Sequence, residues 1–274
     1  MIEIKGNNLI DIFKKAANEI VMNLRMHDSV IGALYTGGIV REFADKYSDV
    51  DVIVFLQHED PSVRVQAHSL SKEIESKYNV ETDVEIHVLY TYMKMDWSEY
   101  LKWDLSNSVI VFDRNGTVTE LLAKKLKVPE DEWLFRIALD MTYISWYCFP
   151  MESNIPSMID LWEDRGDPIS AQYAVTYTLD MIVEVLYHLN RSFLPAPKWR
   201  MQYIHKLNWI PDKFTEAARD AMLVREISIE DTRRRAEILA PIWKQMLGRI
   251  YDEFGMDYEM AGNIYVEKVL NLPI

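Results

Sequence analysis

The chain is 274 residues long and 49% hydrophobic, with 43 acidic against 30 basic residues and a formal net charge of −13. A hydrophobic share of that size supports a substantial core and excludes global disorder, while the acidic balance argues against a protein that grips nucleic acid along its phosphates. Cys148 is the only cysteine, so no internal disulfide can form, a reducing compartment is expected and the thiol reads as core.

No apolar run reaches membrane-spanning length, and the opening MIEIKGNNLIDIFKK lacks the apolar region of a secretion signal. A soluble, cytoplasmic protein is the expectation. Leu9, Ile10, Phe13, Ala17, Ile20, Val21 and Leu24 recur at helical spacing and predict an amphipathic helix over 7–26. A strand over 30–36 follows, then Gly37-Gly38 and a short helix or turn from Arg41 to Tyr47. A second strand spans 50–56, and Asp60-Pro61-Ser62 opens a helix to about Tyr78. ETDVEIHVLYT reads as a third strand, with Val84, Ile86 and Val88 on one face and Asp83, Glu85 and His87 on the other. A helical piece with Trp97, Tyr100 and Trp103 precedes a fourth strand, 108–112, closed by the Asp113-Arg114-Asn115-Gly116 turn.

From about Pro129 strand signals stop and prolines punctuate long apolar-periodic stretches. Helices are expected over 130–149, 154–164, 168–191, 197–208, 211–223, 229–254 and 257–270. The fold class is therefore α+β: a small mixed sheet in an α/β domain, 1–127, followed by an all-helical bundle domain, 128–274.

The chemistry is concentrated in IGALYTGGIVREFADKYSDVDVIVFL, residues 31–56. Ten residues separate Gly38 from Asp49, and period-2 alternation puts Asp49 and Asp51 on one strand face. Two such carboxylates repel unless a cation lies between them, and an all-oxygen donor set suits a hard ion such as Mg²⁺. The paired glycines allow close backbone approach to a phosphate. Glu85 is the third acid by choice over Asp83, which lies nearer the start of its strand; Glu85 could serve as metal ligand, as general base, or as both in turn. Arg41, one turn past the glycines, is a better phosphate contact than Lys46. His87 shares the Glu85 face, and Trp97 and Trp103 are aromatic candidates close behind it. Asp180, Glu184 and His188 form a polar helical stripe that reads first as a solvated face.

Gly37-Gly38, the ten-residue gap, Ser48, Asp49-Val50-Asp51 and an acid on a later strand resemble the signature of the DNA polymerase beta-like nucleotidyltransferase superfamily, over roughly residues 30–115. LYHLNRSFLPAPKW, 186–199, resembles a subgroup with helical C-terminal domains, related to the aminoglycoside and lincosamide adenylyltransferases. Gly38 departs from the serine that many members carry. The resemblance implies an Mg²⁺-dependent enzyme that moves a nucleoside monophosphate, AMP from ATP, to a hydroxyl of a small-molecule acceptor and releases pyrophosphate. It implies Asp49, Asp51 and Glu85 as the catalytic and metal-binding acids, and Gly37, Gly38 and Lys198 as contacts to the nucleotide, to which Arg41 is added by its position after the glycines. Some relatives complete their site across two chains, so a homodimer is compatible with it. The alternatives are adenylylation of a protein or RNA acceptor, or a non-catalytic nucleotide-binding regulatory protein. An RNA acceptor needs a basic track, and Arg233-Arg234-Arg235 is the one compact basic cluster.

Overall fold

The computed structural model describes residues 6–152 and 154–272. The chain divides into two compact units, Met1–Lys127 and Val128–Ile274. It is an α+β protein: among the described residues, all four strands lie in the first unit and the regular elements of the second are helices. None of its helices, among the described residues, is long and apolar enough to cross a membrane.

In the first unit, helix α1 (Ile10–Leu24) leads to β1 (Val30–Tyr35), a single-turn α2 (Gly37–Val40) and β2 (Asp49–Leu56). Helix α3 (Pro61–Tyr78) then returns the chain to β3 (Glu81–Val88), and α4 (Leu89–Lys94), α5 (Glu99–Ser106), β4 (Val109–Asp113) and α6 (Thr117–Lys125) complete the unit. The strand order is β3-β2-β1-β4. β2 and β3 run parallel, whereas β1 is antiparallel to both β2 and β4, so the sheet is mixed.

Local chemistry sets these boundaries. Asp60 accepts a hydrogen bond from the Ser62 N–H, Pro61 occupies the first helical turn of α3, and Asn79 ends the helix in the left-handed conformation. The α1–α3 side of the sheet buries Val50, Val52, Val54 and Leu56 against Phe13, Ile20, Val63 and Ile74. The opposite side buries Ile53 and Phe55 with Leu34, Tyr92, Trp97, Leu105 and Val118. Asp49 and Asp51 therefore continue, toward the start of β2, a strand face that is apolar and covered at Ile53 and Phe55.

Three readings of the sequence change here. The third strand stops at Val88, and Leu89–Lys94 turn into helix α4 because Tyr92 is drawn into the core beside Phe55. After the Asp113 turn the chain forms α6, whose first turn is capped by the Asp113 carboxylate accepting from Val118 and Thr119. Trp97 and Trp103 are core residues, 6% and 4% exposed, and the Trp97 indole donates to the Tyr92 carbonyl at 3.1 Å.

The second unit comprises α7 (Glu130–Tyr147), α8 (Met158–Asp164), α9 (Pro168–Leu189), α10 (Pro197–Tyr203), α11 (Phe214–Met222), α12 (Ile229–Phe254) and α13 (Tyr258–Lys268). Side-chain caps open several of them: Ser157 and Asp160 form a capping box on α8, Asp167 caps α9 and Ser228 caps α12. The core runs along α7, α9 and α12 through Ile137, Met141, Ile182, Leu186, Leu239 and Met246. Cys148, at the end of α7, is buried in it, and burial pushes its thiol up to about 12.

The expected solvated stripe on α9 is largely a buried network. His188 lies 3.0 Å from the Asp140 carboxylate with both side chains almost wholly buried, and Arg200 donates to Glu184 at 2.8 Å; only Asp180 is exposed. The arginine cluster is spent internally as well. Arg233 pairs with Asp160 and Glu163, Arg234 with Asp231, and Arg235 is 2% exposed with its guanidinium on Gln172, Thr176 and the Ala221 carbonyl.

Candidate active site

The site starts from the turn between β1 and β2. Gly37 has φ of +58°, a left-handed conformation that a side chain disfavours, and a Cβ there would fall 1.6 Å from Asp51 Oδ2. A Cβ on Gly38 would come within 2.9 Å of the Phe43 carbonyl oxygen. The sequence therefore needs two glycines here for separate reasons, and together they let the backbone fold down onto Asp51. The Gly38 N–H donates to the Asp51 carboxylate, and the Thr36 N–H donates to the Asp51 carbonyl at 3.3 Å.

The parallel register of β2 and β3 sets which acids stand beside Asp49 and Asp51. Asp49 pairs with Glu81, Asp51 with Asp83, and Ile53 with Glu85. Carboxylate oxygens of Asp49, Asp51 and Asp83 all lie within 4.8 Å of one another, with Asp49 and Asp83 exposed and Asp51 half-buried. Glu85 sits two residues farther along β3, roughly 7 Å by strand rise, and is outside this cluster. The structure thus places Asp83, the weaker choice from sequence, where Glu85 was expected. Face alternation makes the two equivalent; only the register separates them. Glu85 instead bonds His87, whose Nε2 lies 2.6 Å from its Oε2.

The electrostatics of the cluster follow from crowding. Burial, then the neighbouring charges of Asp49 and Asp83, push the Asp51 carboxyl up to about 7, against the opposing pull of Arg41 and the Gly38 N–H. Burial also raises Asp83, with Glu85 and Asp49 adding to the shift. The hydrogen bond from His87 holds Glu85 below the usual carboxylate range. An all-oxygen donor set this close, with one member half-buried and reluctant to ionise unaided, fits a hard divalent cation.

Arg41 belongs to this neighbourhood through its effect on Asp51. Its guanidinium also contacts Asp104 at 3.4 Å and lies over the Trp103 ring, with its side chain 14% exposed. Lys46 turns away, over the Tyr47 ring. Lys198 belongs to the second unit, exposed in the first turn of α10 with its ammonium over Trp199. One neighbour of Glu85 carries no sequence signal at all. Tyr92 is 2% exposed, its ring lies 4.5 Å from that of His87, and its hydroxyl has no hydrogen-bond partner. Burial first, and the charge of Glu85 second, hold that hydroxyl above the ordinary tyrosine range.

Comparison with known proteins gives two family matches. Residues 17–115 match the family described as "Nucleotidyltransferase domain", and residues 92–200 match the family described as a domain of unknown function (DUF4037). No curated protein matches the chain. Among solved structures, a nucleotidyltransferase-like protein from Exiguobacterium sibiricum is similar over 95% of this chain and 81% of its own, at 13% identity and a TM-score of 0.45. A mutant of the MntA–HpeT toxin–antitoxin is similar over 40% of this chain and 83% of its own, at 13% identity and a TM-score of 0.31. A Shewanella oneidensis complex of tri-AMPylated HEPN toxin with MNT antitoxin is similar over 42% and 83%, at 15% identity and a TM-score of 0.28. The chain thus contains a nucleotidyltransferase domain, overlapped and followed by a DUF4037 segment.

Proposed function

We propose that this nucleotidyltransferase moves AMP from ATP to a hydroxyl of a small-molecule acceptor with the help of Mg²⁺. The observation that carries the reading is the cluster of Asp49, Asp51 and Asp83 beneath a glycine turn whose backbone already bonds one of them. Asp49, Asp51 and Asp83 would hold the metal, which when bound neutralises phosphate charge and supports an in-line displacement. The Gly37–Gly38 backbone would lie against the phosphates, and Arg41 would add positive charge beside them. The acceptor hydroxyl oxygen would form a bond to the α-phosphorus as the bond from that phosphorus to the bridging oxygen breaks. Pyrophosphate leaves with the electron pair, and Glu85, kept ionised by His87, would take the hydroxyl proton.

The fate of the arginine cluster supports a small acceptor over RNA. With Arg235 buried and Arg233 and Arg234 in ion pairs, the sequence's one compact basic run offers no track for a polyphosphate backbone. The test is incubation of the protein with ATP labelled at the α-phosphate, Mg²⁺, and separate pools of hydroxylated small molecules, RNA and proteins. Label in the small-molecule pool, lost in Asp51→Asn, is the expected result. Label confined to RNA or protein would replace the acceptor assignment, and label kept in full by Asp51→Asn would sink the mechanism.

A further inference from the structure

The outer edge of β3 carries a second feature, on the face of the sheet away from the acids. Here β3 and α3 border a groove of about 400 Å³. Side chains of α3 close the groove at both ends by bonding the open strand edge. At one end Glu75 accepts from both the N–H and the hydroxyl of Thr82, at 3.2 and 2.9 Å. At the other, Arg64 donates to the Ile86 carbonyl at 3.1 Å while its guanidinium pairs with Glu59. Thr82 and Ile86 thus present their backbone polar groups outward, and Val84, of the same parity between them, does the same. Between the two closures the groove is lined by His68, Ser71 and Lys72, which follow Arg64 along a single stripe of α3. Among the described residues neither His68 nor Lys72 has a hydrogen-bond or ion-pair partner. In a chain of net charge −13, this stripe gathers a cation and two further side-chain donors, with the Glu75 carboxylate engaged by Thr82 at one end.

We propose that this groove binds a phosphate-bearing small molecule, at a site distinct from the acid cluster. Four kinds of donor line it: the Lys72 ammonium, the His68 imidazole, the Ser71 hydroxyl and the strand-edge N–H of Val84. That number suits the tetrahedral oxygens of a phosphate better than the two oxygens of a carboxylate. The groove also exceeds the volume of one phosphate and leaves room for the group that bears it. Asp83 borders the groove too. Its carboxylate joins the cluster on the other face, so it offers the groove only backbone, and an occupant would rest one peptide away from a proposed metal ligand.

Calorimetric titration of the full chain with inorganic phosphate, in metal-free buffer, tests the assignment, with AMP and adenosine as further arms. Saturable phosphate binding is expected, weakened at least tenfold in Lys72→Glu and unchanged in Asp51→Asn. Tighter binding of AMP than phosphate, also sensitive to Lys72→Glu, would mark a nucleotide-borne ligand; equal binding would mark free phosphate. Absence of saturable binding overturns the proposal, and so does binding that survives Lys72→Glu. Loss in Asp51→Asn alone would move the phosphate to the nucleotidyl site and overturn it equally. Circular dichroism establishes that the Lys72 variant, altered at an exposed position, is folded.

Discussion

The two units treat carboxylates in opposite ways. In the helical unit each buried acid has a positive or donor partner: Asp140 has His188, Glu184 has Arg200, and Asp231 has Arg234 and Gln172. In the sheet unit Asp49, Asp51 and Asp83 face one another, and Arg41, the cation acting on Asp51, is shared with Asp104. An acid that meets its counter-charge inside the fold contributes to architecture. Acids crowded together without one leave a charge that a ligand can satisfy. The difference separates structural from chemical carboxylates without reference to any relative.

Substitutions can break that comparison. Asp51→Asn should reduce AMP transfer by at least about a hundredfold to a thousandfold, read as labelled pyrophosphate release. The same change should raise the melting temperature of the metal-free protein at pH 8, because it removes a repelling charge. A fall in melting temperature would show that Asp51 is architectural after all. Asp83→Asn and Glu85→Gln sharpen the case. The first should weaken Mg²⁺ binding by calorimetry, whereas the second should slow turnover with Mg²⁺ affinity little changed; the reverse pattern would restore Glu85 as the ligand.

His188→Ala is the matching change in the helical unit. It strands Asp140 without its partner and should cost about 3 kcal/mol in chemical denaturation. A neutral outcome would mean that the helical network is as dispensable as a surface pair. Gly37→Ala comes next. The left-handed backbone alone costs about 1–2 kcal/mol, and the new methyl must displace the Asp51 carboxylate, so transfer should fall by at least about tenfold with the second unit's unfolding unaffected.

The last test is the effect of pH on the metal-free protein. Asp51 ionises near 3.8 in the unfolded chain and at about 7 in the folded one. Below that window both states are protonated. Within it only the unfolded chain releases the proton, so folding stability falls as pH rises and the loss is complete above about pH 7, at about 2–4 kcal/mol. Saturating Mg²⁺ should flatten the profile. A metal-free profile that rises over the same window would contradict the assigned shift.

How far the sequence could be read depended on the range of the interactions involved. The four strands and most helices were legible because alternation, helical periodicity and capping residues are local: Asp60-Pro61 and Asn79 bracket α3 in sequence as they do in space. Asp49, Asp51 and the glycines were legible because one strand and one turn contain them. That Asp83, and not Glu85, stands beside Asp51 was not, since it rests on which β2 residue each faces, a register that no local pattern encodes. Tyr92 and the Asp140–His188 pair were hidden for a similar reason: burial of a polar residue is decided by elements distant in sequence. α6 was missed because the Asp113-Arg114-Asn115-Gly116 turn looks like a loop, although Asp113 caps the helix after it.

The single thiol gives the protein a built-in clock for its own breathing. Cys148 is 8% exposed at the end of α7, where it borders a pocket, and burial holds its thiol at about 12, so attack by a thiol reagent at neutral pH should be slow and should quicken when the helical unit opens locally. Labelling rate at rising reagent concentration therefore measures how often α7 frays from the second core. With no other cysteine in the chain, that rate can be followed during turnover, free of background, to ask whether nucleotide or acceptor steadies the helices.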